Sequence, residues 1–132
     1  MSQENVEVVR RNYEAFERRE LVLALEGGDP EGEWIPAMAG AAEGEVYRGP
    51  VALRRYFDEL FESFSDVRLE DREFEDLDDR VLVLYRLRVR GHDSGVAIDQ
   101  PGGALYQFRD GKIVHGSYLS QAEALEAAGL SE

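Results

Sequence analysis

The stretch RVLVLYRLRVRG, residues 80–91, constrains the fold most. Val81, Val83, Tyr85, Leu87 and Val89 recur at every second position, while Arg86, Arg88 and Arg90 hold the alternate ones. A side-chain period of two belongs to a β-strand, and a strand with one apolar face must lay that face on a core. The arginine face then reads as a solvated or subunit-facing surface, compensated by nearby acids. Leu77-Asp78-Asp79-Arg80 precedes the strand and suits a tight hairpin with VRLEDREFED. With Asp78-Asp79 as the turn, Asp71 is expected opposite Arg86, Leu69 opposite Arg88 and Phe74 opposite Val83. GHDSG marks a second turn. VAIDQPGGALYQFR reads as a third long strand broken by Pro101-Gly102-Gly103, and DGK opens a last hairpin into IVHGSYL.

Ahead of this meander the period is helical. Between Gln3 and Arg19, Val6, Val9, Tyr13 and Phe16 recur at three- and four-residue steps, with Glu4, Glu7, Arg10, Arg11 and Glu14 filling the other side. A shorter helical piece, LVLALE, ends at Gly27-Gly28. DPEGEWIP supplies turn chemistry leading into a short strand around Trp34, and MAGAAEGEVYRG reads as loop with a strand at Glu45 to Tyr47. Gly49-Pro50 opens a further helix with the stripe Leu53, Phe57, Leu60, Phe61 and Phe64. Helices first and an antiparallel meander after them make an α+β layout, the helices covering one face of the sheet.

A chain of 132 residues fits one domain with one core. The formal charge of −13 disfavours nucleic acid and anionic membrane surfaces as partners. No cysteine is present, so thiolate chemistry and disulfides are excluded. The charged start MSQENVEVVRR and the lack of long apolar runs point to a soluble, cytoplasmic protein.

Motifs with chemistry are few. His92, Asp93 and Ser94 are consecutive on a turn and cannot take the geometry of a hydrolytic triad. Two histidines far apart in sequence give no support for zinc, and no phosphate-binding or dinucleotide fingerprint is present, so no metal or cofactor is expected. What remains is a pocket between helices and sheet, for which Tyr13, Trp34, Phe57, Tyr85, Tyr106 and Tyr118 are the candidate ligand-binding residues. Near the C-terminus, Ser120 and Glu123 have capping-box spacing, with a helix of Gln121 to Ala128 ending at Gly129.

The segments NVEVVRRNYEAFERREL, DPEGEWIP, EGEVYRGPVALRRYFDELF, DRVLVLYRLRVRG, FRDGKIV and YLSQAEALEAAGL together resemble the nuclear transport factor 2-like superfamily, and within it the bacterial SnoaL-like or ketosteroid-isomerase-like proteins. The resemblance runs from about Asn5 to Leu130 and implies one such domain over residues 1–132. It implies a cone: a strongly curved, mostly antiparallel sheet with the N-terminal helices packed in its concave face, an apolar pocket for a small organic ligand, and a homodimer. Members of the superfamily include enzymes and non-catalytic modules, so fold leaves function open. The isomerase base falls on Ile35, its helix tyrosine on Asn12 and its protonated acid on Ala104, so all three roles are unfilled, while a pocket aromatic matches at Phe57. His115 and Asp99, with Arg86 beside them, are the remaining candidates for acid–base catalysis. Strand parity decides whether they face the pocket, and the pleat does not let His115 and Tyr118 both face it without a bulge.

Overall fold

Val6, Val9, Tyr13 and Phe16 do form one buried stripe, on helix α1 (Ser2–Glu17). The structure, a computed structural model, describes residues 2–35, 46–92, 95 and 97–130. Most of the expected loop after Trp34, including Glu45, and Asp93 and Ser94 of the GHDSG turn lie outside the described residues. Beyond α1, Arg19 takes a left-handed backbone with φ 62°. Its guanidinium donates to the carbonyls of Phe16 (3.2 Å) and Val67 (3.3 Å) and lies 4.2 Å from the Phe61 ring centre. That cation–π contact ties the end of α1 to the next long helix and to the sheet.

The short α2 (Leu21–Ala24) and α3 (Gly49–Ser63) complete the helical layer. Gly49 has φ +80°, and a Cβ there would sit 2.9 Å from the Pro30 carbonyl oxygen, so glycine is required on both counts. Leu53, Tyr56, Phe57 and Leu60 form the buried face of α3.

The strands are β1 (Gly28–Ile35), β2 (Tyr47–Arg48), β3 (Phe64–Asp76), β4 (Arg80–Gly91), β5 (Ala97–Arg109) and β6 (Lys112–Ser120). They form one curved, unclosed sheet in the order β2-β1-β6-β5-β4-β3, antiparallel throughout except for the β1–β6 pair. The first three helices pack in its concavity, burying Val81, Val83, Tyr85, Leu87 and Val89 of β4 together with Ala104, Tyr106, Ile113 and Tyr118. A fourth helix, α4 (Gln121–Ala127), begins at the expected capping box and lies on the opposite face. There Ala124 and Ala128 meet Leu82, with Leu84, Leu105 and Leu119 around them. This explains why β4 is apolar on both faces in its first half and amphipathic only from Arg86 onward. Among the described residues no helix is long and apolar enough to cross a membrane.

Four details differ from the sequence expectation. Phe74 does pair with Val83, but Glu70 pairs with Arg86 and Leu69 with Leu87. A bulge at Asp71, whose φ is 55°, shifts the remainder of β3 by one residue and turns Leu69 inward. β5 is not broken at Pro101-Gly102-Gly103, since its pairing with β4 runs without interruption from Ala97 to Gln107. Gly102 and Gly103 instead admit close neighbours: added Cβ atoms would lie 2.7 Å from the Tyr85 ring and 2.7 Å from the Ala124 methyl, respectively. β6 carries a bulge at Val114, since Gln107 pairs with His115 and Phe108 with Ile113. β1 is longer than the short strand expected around Trp34, absorbing Pro30 in the stretch where its register with β6 shifts between Gly28 and Glu33.

Candidate functional site

The concave side of the sheet and the helices above it border a half-open cavity of about 30 Å³. Asn12, Tyr13 and Phe16 line it from α1, Leu53 and Phe57 from α3, and Ala24 from α2. The strands contribute Trp34, Leu69, Tyr106 and Tyr118. None of these lining residues is an Asp, Glu, His, Lys or Arg. The polar groups these residues carry are one carboxamide, three phenols and one indole N–H, the last of them buried.

Tyr13 and Tyr106 share a hydrogen bond of 2.8 Å between their hydroxyls. Their rings meet edge to face at 6.2 Å, and Tyr106 makes similar contacts with Trp34 (6.3 Å) and Tyr118 (6.2 Å). Such edge-to-face packing suits the ring quadrupoles and fixes the ring orientations. Burial pushes all three phenols up: Tyr118 to about 12, and Tyr13 and Tyr106 well above their ordinary 10. They are hydrogen-bonding hydroxyls, not bases, at neutral pH.

Trp34 is held by glycines. Cβ atoms at Gly116 would stand 2.5 Å from its Cε3 and at Gly28 3.2 Å from its Cζ2. Its Nε1, like the Tyr56 hydroxyl, is buried without a hydrogen-bond partner. An unmet buried donor costs about 1–3 kcal/mol.

Of the six aromatic residues expected to bind a ligand, five line the cavity and one does not. Tyr85 belongs to the same core cluster, 6.1 Å from the Tyr13 ring, but donates its hydroxyl to the Gly103 carbonyl at 3.2 Å and stays off the cavity wall. Asp99 is exposed on the outer face, where it accepts from Arg86 at 2.5 Å and lies 3.7 Å from Arg88. His115 is half-buried on that outer face, its Nε2 3.0 Å from the Ser117 hydroxyl. It borders a shallow depression with Glu33, Arg48 and Gln107. Glu33 is its register neighbour across the parallel pair but is bound to Arg48 at 2.5 Å. The Val114 bulge lets Ile113 and Tyr118 both face inward and leaves His115 and Ser117 outward. Neither Asp99 nor His115 lines the cavity.

The positions matched to the isomerase groups differ in their settings. Asn12 is on the cavity wall beside Tyr13, Ala104 is fully buried in the core, and Ile35 is the half-buried end of β1. Sequence reasoning did not single out Asn12, Ala24, Leu53, Phe16 or Leu69 as lining residues. Phe16 and Leu53 carried a signal in their helical stripes; Leu69 reaches the wall only through the Asp71 bulge.

A family profile described as a SnoaL-like domain matches residues 9–116. No curated protein matches the sequence. Among solved structures, the chain is similar to TerC co-crystallised with polyporic acid, at 23% identity over 97% of this chain and 99% of that one, with a TM-score of 0.77. It is similar to an NTF2-like protein of unknown function from Burkholderia pseudomallei K96243, at 25% identity over 93% and 95% of the two chains, TM-score 0.78. A proposed polyketide cyclase from Xanthomonas campestris pv. campestris shares 21% identity over 98% of both chains, TM-score 0.79. The fold of these neighbours is the one described above, and the profile spans most of the chain: the protein belongs to the SnoaL-like family, within the nuclear transport factor 2-like superfamily.

Proposed function

We propose that the protein binds a small, uncharged, largely aromatic organic molecule inside the cone, with the Tyr13–Tyr106 hydroxyl pair as its polar anchor. The observation that carries this reading is a buried hydroxyl pair set in walls of aromatic and aliphatic side chains. Apolar walls supply affinity in proportion to the area they cover, at about 25 cal/mol per Å². The few polar groups fix orientation and select the ligand. Co-crystallisation of TerC with polyporic acid supports an organic ligand for this chain by analogy of fold.

Binding has a structural consequence. A cavity of about 30 Å³ holds roughly two waters, whereas sites for drug-sized ligands run to about 300–1,000 Å³. A ligand must therefore displace wall side chains, and part of its binding energy goes into that opening.

The placement of Asp99 and His115 favours binding over acid–base chemistry by those two residues. A general base must come within hydrogen-bond reach of the proton it takes, directly or through one water. Both side chains project from the outer face of the sheet, and the cavity's own titratable groups are phenols held neutral by burial.

Calorimetric titration with 1-naphthol tests this reading, since the probe is neutral, aromatic and carries one hydroxyl. Saturable binding is expected, weakened about tenfold in Tyr106→Phe, as the loss of one hydrogen bond implies. Asp99→Asn and His115→Ala should leave the affinity within about twofold of wild type, because neither touches the cavity. Absence of saturable binding, or its loss on changing Asp99 or His115 alone, would overturn the reading.

A further inference from the structure

The indole of Trp34 combines three properties that occur together nowhere else on the cavity wall. It borders the cavity, it is 5% exposed, and its N–H has no hydrogen-bond partner. Its benzo ring packs on two glycines: an added Cβ at Gly116 would clash with it at 2.5 Å, and one at Gly28 would press on it at 3.2 Å. Among the described residues the other buried side-chain polar atom without a partner is the Tyr56 hydroxyl, whose ring packs tilted against Tyr47 at 5.2 Å and does not border the cavity.

An indole N–H can only donate, so whatever satisfies it must present an acceptor. An ammonium or an N–H end offers nothing to it. A carboxylate is an acceptor, but burying its charge is costly without a cation, and none of the described lining residues carries one. The complement is an uncharged acceptor oxygen on an otherwise apolar frame. The phenols differ from the indole in this respect, because each hydroxyl both donates and accepts.

We propose that the Trp34 N–H is the specificity-determining donor of this cavity and that it selects ligands bearing a neutral carbonyl-type oxygen. This rests on the reading of the cavity as a ligand site. Trp34 would discriminate by the penalty it imposes on the wrong ligand: an analogue lacking the oxygen leaves the donor buried and unmet. The Tyr13–Tyr106 pair already satisfies itself and exerts less of that pressure.

The chain has one tryptophan, so one indole cross-peak reports on this group alone. The probes are 1-indanone and indane, bicyclic frames of the same shape with and without a ketone oxygen. The isosteric variant replaces Trp34 by 3-benzothienylalanine, in which sulfur stands for the N–H. In the wild-type protein, titration with 1-indanone is expected to move the indole N–H resonance downfield, and titration with indane is not. In the benzothienyl variant, 1-indanone should bind about tenfold more weakly while indane stays within about twofold, the size expected for one net hydrogen bond. If both probes bind wild-type protein but the variant changes neither affinity, or both equally, the role of Trp34 is refuted while the ligand site stands. If neither probe binds the wild-type protein saturably, both readings fall together. The spectral arm uses the unaltered chain, so a poorly folding variant does not remove the test.

Discussion

A Cβ at position 116 would stand 2.5 Å from Cε3 and 2.6 Å from Cζ3 of Trp34, a clash that neither the central strand nor the wedged indole can relieve by a rotamer change. Gly116→Ala should destabilise the fold by about 1–3 kcal/mol, as overpacking of a filled core does. Urea unfolding measures this, and the same variant should lose affinity for 1-naphthol because the displaced ring is a cavity wall. The opposite is expected of the outward residues. Arg86 and Asp99 form a solvent-exposed pair, and such pairs contribute about 0–1 kcal/mol. Asp99→Asn should therefore change stability by less than about 1 kcal/mol in the same unfolding measurement. At this scale the sequence was informative about residue type and weak about direction. Tyr13, Trp34, Phe57, Tyr106 and Tyr118 are large aromatics in expected helices and strands and reach the cavity. His115 and Asp99 stood out by their chemistry, which says nothing about which face of a strand they occupy.

Direction is decided by bulges, and they belong to the elements. One extra residue at Asp71 turns Leu69 from an expected position opposite Arg88 to one opposite Leu87, on the cavity side. One extra residue at Val114 puts Ile113 and Tyr118 on the same face. Neither bulge has a glycine or proline to announce it; Asp71 reaches its positive φ as one of the few non-glycine residue types that tolerate it. Strand and helix existence was legible because periods of two and 3.6 are set by which face is buried. Register was not, because a bulge leaves the pattern on each side of it intact. The helix signals held down to single hydrogen bonds: the Ser120 hydroxyl accepts from the Glu123 N–H, and the Glu123 carboxylate accepts from the Ser120 N–H, each at 3.2 Å. Ser120→Ala should cost about 1 kcal/mol, and Ser120→Asp should retain most of the cap. Because α4 lies on the opposite face from the cavity, chemical denaturation should register the first change while 1-naphthol affinity stays at the wild-type level.

For the whole molecule, the cone is a protein interior that carries an unusual share of phenols. Tyr13, Tyr56, Tyr85, Tyr106 and Tyr118 are all pushed above their ordinary 10, chiefly by burial; neighbouring phenols add to the rise at Tyr13, Tyr56, Tyr85 and Tyr106, while the Tyr106 hydrogen bond moderates it at Tyr118. The protonated phenol is the form the fold prefers. Below pH 10 both folded and unfolded chains keep these protons, and the contribution to stability is complete. Above it the unfolded chain releases protons that the folded chain retains, so stability falls as pH rises, by up to about 1.4 kcal/mol per pH unit for each such tyrosine. Unfolding measured at pH 9 and pH 11 should show this decline, and Tyr118→Phe should make it shallower. The helices-then-meander architecture was legible from sequence because the two halves of the chain have different periods. The packing of α4 on the far face was not, since Ala124 and Ala128 are small residues whose partners, Leu82 and Leu105, lie on distant strands.

On this reading a ligand sits inside the cone and not on the polar outer face bearing His115. Intermolecular nuclear Overhauser effects between bound 1-naphthol and the assigned protein measure this most directly. Contacts from the naphthol ring to the Leu53 methyls, the Phe57 ring and the Trp34 indole are the expected result. Contacts to Val114, His115 and Gln107 in their place would contradict it.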